Sequence, residues 1–372
     1  MSKFVLNKLP SKNADQKLLE EIAVPYPKDA VRLISKYDGM VEFIDNPSLL
    51  ANILFLQEAV KSSNIEGTIA TISDVLDYDV GSKISDQIIL ADVEEIKNYE
   101  DALKYAMEEI EKNNYRFSCK IFKEIQSILL NNSRGKDKLR GAFKEKQNYI
   151  GNKLDKKITY IPVSPILTND YMENLVEFIN HNHKEIEPLV KIALIHAQFE
   201  LIHPFEDGNG RVGRIIVPIL LKKYGLIENH FFYISYYLAK NRSKYIDALE
   251  NISSKQDWAG WVNFFVGAIE KQSEVLILML KEINEIARET RRKIQELKTT
   301  FAVLIVDFLF EKIKFDTAYF IKKTGINPST ARVLLKEMVD KKIISIEESG
   351  SGTRSHIYKF DALYELIRKI EE

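Results

Sequence analysis

"HPFEDGNGRVGR", residues 203 to 214, carries Gly208, Gly210 and Gly213 in the G-x-G-x-x-G spacing of a dinucleotide-binding turn. A turn of that kind follows a β-strand. What precedes it here is "LVKIALIHAQFELI", residues 189 to 202, apolar nearly all round and free of helix breakers. The run is far longer than the about four to eight residues of a strand and predicts a buried helix. Glu228 stands near the place of a ribose-binding acid, but one acid at a loose spacing in a chain this charged carries no weight. The Rossmann reading fails on context, and the stretch reads as helix, loop, helix.

His203 precedes Pro204, which biases it out of the right-handed helical region, so the buried helix ends at Ile202 and the imidazole leaves it in a fixed direction. Phe205 anchors the loop in the core. "EDGNG" then feeds a second helix, "RVGRIIVPILLKKYG", whose first-turn N–H groups and glycine-permitted close approach suit a phosphate. Arg211 and Arg214, three residues apart on its first turn, share a face at the positive end of the dipole and need partners. Either Glu206 and Asp207 neutralise them at the surface, or a polyphosphate with magnesium does, Asp207 on the metal and the arginines on the terminal phosphates.

Outside this loop the 372 residues read as an ordinary globular chain with 53 Lys and Arg against 54 Asp and Glu, which favours neither a nucleic-acid coat nor a membrane-surface protein. The single cysteine, Cys119, excludes an internal disulfide and cysteine-built zinc sites. The N-terminus lacks the apolar core of a signal peptide and "IIVPILL" (215 to 221) is too short to span a bilayer, so the expected location is the cytoplasm, without a membrane partner. Residues 1 to about 45 give no pattern. From Asn46, "NPSLLANILFLQEAVKSSNIEG" predicts a helix with Asn46 as cap, Pro47 at its first position and Gly67 as its stop. Helices follow in 91–113 and 119–132, a hairpin between Asn148 and Pro165, and helices again from about Asp170 to about Leu297. From Thr299, three helices with a turn at Gly325 and two β-prone runs around "SGSGTRS" read as a winged helix-turn-helix. The expected domains are 1–110, an N-terminal helical region; 111–298, a catalytic core; and 299–372, the winged helix-turn-helix.

The pattern His-Pro-Phe, a variable residue, an acid, Gly-Asn-Gly-Arg, two variable residues and Arg resembles the signature of the Fic (Fic/Doc) family, met at every fixed position from His203 to Arg214. "LIHAQFELIHPF", "GAFKEKQNYIG" and "YISYYLAKNRSKYIDAL" extend the resemblance over roughly Leu50 to Phe265; Lys144 departs from it, standing where many relatives carry Arg. The fold implied is mainly α, a Fic-type helical bundle with a β-hairpin flap, joined to the small C-terminal winged helix-turn-helix. The activity implied is transfer of AMP from ATP, with Mg2+, to a Ser, Thr or Tyr hydroxyl of a protein, the enzyme itself included. His203 would be the general base and Asp207 would bind magnesium. Asn209, with the N–H groups of Gly208 and Gly210, would hold the α-phosphate, and Arg211 and Arg214 the outer phosphates. "HFFYISYY" (230 to 237) would lie near the adenine, with Tyr237 in contact, although such a run also suits a core.

"SSNIEG", residues 62 to 67, is similar to the family's inhibitory motif. Glu66 ends a helix, where the dipole disfavours a carboxylate and a cation is needed. The resemblance supplies that cation as Arg214 and implies autoinhibition. The hairpin reads as a flap for backbone pairing with an extended target. His181, His183 and His196 read as packing or surface histidines, since no ligand-spaced cysteine or acid accompanies them. Two alternatives stay open: a nucleotide-sensing DNA-binding regulator, and removal of AMP from a modified protein. Residues 300 to 372 hold 12 Lys or Arg against 11 Asp or Glu, so a winged helix offering Ser329, Thr330, Arg332 and Lys336 suits DNA no better than a homodimer or a docked protein.

Overall fold

Residues 188–202 form the helix that their composition requires, and every side chain from Leu189 to Ile202 is buried. The structure is a computed structural model and describes residues 5–10, 26–42, 44, 48–131, 138–152, 157–350 and 355–371. From the N-terminus run α1 (Lys28–Glu42), α2 (Ser48–Glu66), α3 (Ile72–Asp79), α4 (Gln87–Lys112) and α5 (Cys119–Leu129), then the hairpin of β1 (Ile150–Asn152) and β2 (Lys157–Tyr160). After it come α6 (Pro165–Asn180), α7 (Pro188–Ile202), α8 (Asn209–Lys223), α9 (Ser235–Lys240), α10 (Arg242–Lys255) and α11 (Trp258–Gln295). The chain ends with α12 (Ala302–Glu311), β3 (Lys314–Asp316), α13 (Thr317–Thr324), α14 (Pro328–Asp340), β4 (Ser345–Glu348), β5 (Ile357–Lys359) and α15 (Asp361–Glu371). The expected cap Asn46, with Pro47, and most of "SGSGTRS" lie outside the described residues.

These elements form two compact units. The first comprises residues 1–38, 58–69 and 94–274; the second, 39–57, 70–93 and 275–372. In the first, α7 lies against α8, α5 and α6, with an aromatic seam of Phe122 stacked on Phe199 at 5.4 Å and Phe205 tilted against Phe199 at 6.4 Å. On another side of α7, His196 stacks on Trp261 at 5.8 Å, and the Trp261 indole donates to Ala193 O at 2.8 Å. The strands β1 and β2 pair antiparallel, Ile150 opposite Tyr160, with an irregularity between Ile150 and Gly151.

The second unit holds a three-stranded sheet in the order β3-β5-β4, both pairings antiparallel, with α12, α13 and α14 around it. Gly325 takes φ +68 at the end of α13, the left-handed cap that only glycine adopts without strain. Stretch 70–93, expected with the N-terminal region, belongs here for an electrostatic reason: the buried Lys314 ammonium needs carboxylates, and finds Asp77 at 2.6 Å and Glu347 at 3.0 Å. Lys312 reaches Asp79 at 3.1 Å in the same way. Ser329, Thr330, Arg332 and Lys336 are exposed on α14. No helix among the described residues is long and apolar enough to cross a membrane.

Phe199 is fully buried between two aromatic neighbours that the rest of the core holds in place. Phe199→Ala is therefore expected to cost about 3 to 5 kcal/mol, read as a lowered urea midpoint for the unfolding of the first unit.

Candidate functional site

The site is built where α7 stops. A residue before proline avoids the right-handed helix, and His203 leaves it for the left-handed region, at φ 49, ψ 60. That conformation costs a non-glycine residue about 1 to 3 kcal/mol and persists only where its surroundings impose it. It turns the imidazole back on its own helix, with Nδ1 at 3.2 Å from Glu200 O. In the neutral ring Nδ1–H then donates to that carbonyl, and Nε2 keeps a lone pair. Burial, reinforced by the Lys144 cation, pushes the His203 pKa down to about 4 against the opposing pull of Glu66 and Asp207. Near neutral pH the ring is an uncharged base.

The loop that follows is closed by one side chain. Asn209 accepts from Phe205 N at 2.9 Å and donates to Phe205 O at 2.8 Å, over a Phe205 ring that is wholly buried. Gly208, at φ +85, caps α8, and its N–H donates to Asp207 Oδ1 at 2.7 Å. The carboxamide of Asn209 and the N–H of Gly208, both expected on a phosphate, thus hold the loop. The N–H groups of Asn209, Gly210 and Arg211 stand in the first turn of α8, where no helical carbonyl is available to them.

Because α8 begins at Asn209, two residues before the expected start, Arg211 lies in its first turn and Arg214 in its second. Neither is a surface residue: Arg211 is 4% exposed and Arg214 1%. Arg211 reaches Glu95 at 3.3 Å and Asp207 at 3.5 Å. Its Nε is buried without a partner among the described residues. Glu206 is not among the partners of either arginine.

Arg214 is held by the last turns of α2. Its Nε donates to Ser62 Oγ at 2.8 Å, and its Nη2 to Ser62 O at 2.9 Å and to Glu66 Oε1 at 2.7 Å. Arg242 adds a bond to Ile65 O at 2.8 Å, so two cations meet the negative end of α2 and offset the carboxylate that the dipole disfavours there. Burial raises the Glu66 carboxyl, but Arg214, with Arg211 and His203 farther off, outweighs it and leaves the pKa below the ordinary value. A β-carbon on Gly210 would stand 2.3 Å from Glu66 Oε1, so the carboxylate lies directly against the start of α8. Two turns before Glu66, the buried Glu58 accepts from Tyr99 and from Ser235 Oγ and N, fixing α2 to the start of α9.

Lys144, standing where many relatives carry Arg, has no acid partner among the described residues. Its ammonium donates to Asn148 Oδ1 at 2.8 Å, Ile202 O at 3.1 Å and His203 O at 2.9 Å, and burial pushes its pKa down to about 7. Glu200 lies against Gly213, whose β-carbon would stand 2.3 Å from Oε1, and burial raises its pKa to about 8 despite Arg214. His196 is neutral, its pKa pushed down to about 3 by burial, and bridges Gly213 O and the Tyr245 hydroxyl. His183 packs on Phe178, with ring centroids 4.6 Å apart. Tyr237 sits half-buried on α9, its backbone N–H on Gln272. Ser62 stands in the "SSNIEG" motif, whereas spacing signals neither Arg242, Glu58 nor Lys144, because each meets partners far along the chain.

Two family models match the chain: the Fic/DOC family N-terminal region over residues 27–108 and the Fic/DOC family over residues 116–221. The chain belongs to the Fic/DOC family. A probable protein adenylyltransferase of Aquifex aeolicus is 38% identical over 90 residues, 24% of this chain and 25% of that protein. A protein adenylyltransferase Fic of Aedes aegypti is 23% identical over 269 residues, 70% of this chain and 50% of that one. The chain thus spans half or less of these two relatives. Among solved structures, a Fic family protein from Desulfovibrio desulfuricans matches with a TM-score of 0.56 at 18% identity, over 94% of this chain and 98% of that one, which shows the fold.

The base has a signature in solution. The folded pKa of His203 lies below the unfolded value near 6.5, so the unfolded chain binds the proton more readily. Its contribution to stability is complete above about 6.5 and is lost as the pH falls toward about 4. Titration of 15N-labelled histidine by NMR is expected to show the His203 ring neutral down to about 4, with Nδ1 carrying the proton.

Proposed function

We propose that this chain is a protein adenylyltransferase that moves AMP from ATP to a Ser, Thr or Tyr hydroxyl of a protein, itself included, and is restrained by the Glu66–Arg214 pair. The observation that carries this reading is a neutral imidazole, its Nε2 lone pair available, fixed beside a helix start with two buried guanidinium groups. The names of the Aquifex and Aedes relatives support the same activity.

In this reaction His203 Nε2 takes the proton of the target hydroxyl as its oxygen bonds to the α-phosphorus. The bond from that phosphorus to the oxygen bridging to the β-phosphate breaks, and pyrophosphate leaves. The first-turn N–H groups of Asn209, Gly210 and Arg211 face the charge that develops on the α-phosphate oxygens. Arg211 and Arg214 bind the leaving pyrophosphate as planar donors. Asp207 fits a magnesium ion: its carboxylate is half exposed, and Oδ2 has no partner among the described residues. One carboxylate suffices for an ion whose other ligands are phosphates and water, and the metal would neutralise phosphate charge. Among the described residues β1 and β2 pair only with each other, which leaves a strand edge for an extended target.

Glu66 and a terminal phosphate compete for Arg214, so productive binding of ATP requires the carboxylate to leave. A charge-assisted hydrogen bond is worth about 1.5 to 3 kcal/mol, and Glu66→Gly should raise the rate about ten- to a hundredfold. The test gives wild type, Glu66→Gly and His203→Ala ATP labelled on the α- or the γ-phosphate, with mass analysis of the protein. Strong α-label on Glu66→Gly, weak on wild type and none on His203→Ala is expected; label from the γ-position would overturn the assignment.

A further inference from the structure

The left-handed His203 is held by donors from one short segment. Tyr160 Oη donates to Leu201 O at 2.9 Å, Lys144 Nζ to Ile202 O and His203 O, and Lys144 N to Pro204 O at 2.8 Å. Asn148 Nδ2 donates to His203 O and to Phe205 O, each at 3.0 Å. Asn148 in turn accepts from Lys144 Nζ at 2.8 Å, and Gln147 donates to Asn148 O and Pro162 O, on either side of the hairpin. All these donors lie between residues 144 and 160, the hairpin and its lead-in.

Lys144 is 3% exposed, and its three N–H donors meet three neutral acceptors. A buried ammonium is costly without dipoles to solvate it, and the C-terminal carbonyls of a helix are such dipoles. Burial is the larger cause of the low His203 pKa, and among the charged groups near the imidazole, Lys144, Glu66 from α2 and Asp207 from the loop, only Lys144 adds to it.

We propose that Lys144 and Asn148 are positioning residues for the base: Lys144 locks the backbone of His203, and Asn148 ties that backbone to the first strand of the hairpin. The inference rests on the reading of His203 as the base. It makes the alignment of His203 depend on the hairpin, so the surface that would seat the target and the group that would take its proton move as one body. An accurately placed base matters because a displacement of about 1 Å can cost about a hundredfold in rate.

The test uses the full chain with Glu66→Gly, adding Lys144→Met, Lys144→Arg or Asn148→Ala. It reads initial rates of self-modification against pH and ATP concentration, and the His203 titration by NMR. Lys144→Met should lower kcat about ten- to a hundredfold with KM for ATP unchanged, and move the His203 titration up from about 4 toward the ordinary histidine value. Lys144→Arg, which keeps charge and donors, should restore both. Asn148→Ala should lower kcat with a smaller displacement of the titration, because the cation remains. An unchanged titration and kcat in Lys144→Met, or a loss confined to KM, overturns the inference. If Lys144→Met does not fold, Asn148→Ala decides, and an unaltered kcat there overturns it. A displaced titration in a series that transfers no AMP supports the positioning role and sinks the adenylyl-transfer reading instead.

Discussion

Every carbonyl from Phe199 to Phe205 accepts a hydrogen bond, although the helix that contains the first of them has ended. The last turn of a helix leaves its carbonyls without partners, and here they sit in the core, where water cannot serve. His203 supplies two of the missing donors, its backbone N–H to Phe199 O and its ring Nδ1–H to Glu200 O; Tyr160, Lys144 and Asn148 supply most of the others. The left-handed backbone of His203, the tautomer of its ring and the placing of the hairpin lead-in are therefore one solution to one problem of unsatisfied acceptors. Replacing any one donor exposes the strain that the others hold.

That solution explains what could be seen in the sequence and what could not. The buried helix, its end at Ile202 and the glycine-rich start of the next helix follow from local composition, and residues 203 to 214 declare themselves by spacing. Helix α1 escaped notice although its buried Ala30, Leu33, Ile34, Tyr37 and Val41 recur at helical spacing. The placing of 70–93 with the C-terminal elements escaped too, because it depends on Lys314 meeting Asp77, residues more than two hundred positions apart. Lys144 looked like a minor replacement for the same reason. Two of its three partners are backbone carbonyls, which every residue carries and no sequence pattern marks.

The loop also separates residues that touch a ligand from residues that shape the place for it. Asn209 and the Gly208 N–H have the chemistry of phosphate binding, yet the loop needs both, one to close over Phe205 and the other to orient Asp207. Residue type and motif position do not distinguish these uses, since a donor aimed inward satisfies the same pattern as one aimed at a phosphate. The arginines differ in kind: both are buried enough for an anion to gain from meeting them, and the Arg211 Nε is a donor without a partner among the described residues.

Glu66 shows what that vacancy attracts. Its carboxylate lies where a β-carbon on Gly210 would intrude, at the positive end of α8, and accepts from the guanidinium that the proposed reaction assigns to a phosphate. A helix start with free N–H groups and a buried arginine draws any anion, and an anion on the chain itself has a high effective concentration. On this reading the brake needs no separate machinery. Whatever strengthens the cradle for phosphate strengthens it for Glu66 as well, so sharper catalysis and tighter restraint rise together unless α2 moves. The ties that hold α2 are Ser62 and Ile65 at its end and Glu58 two turns earlier, bonded to Ser235 at the start of α9. Release of the carboxylate alone leaves those ties intact, whereas release of the helix breaks them and frees α9 as well; the two routes would therefore unmask different surfaces.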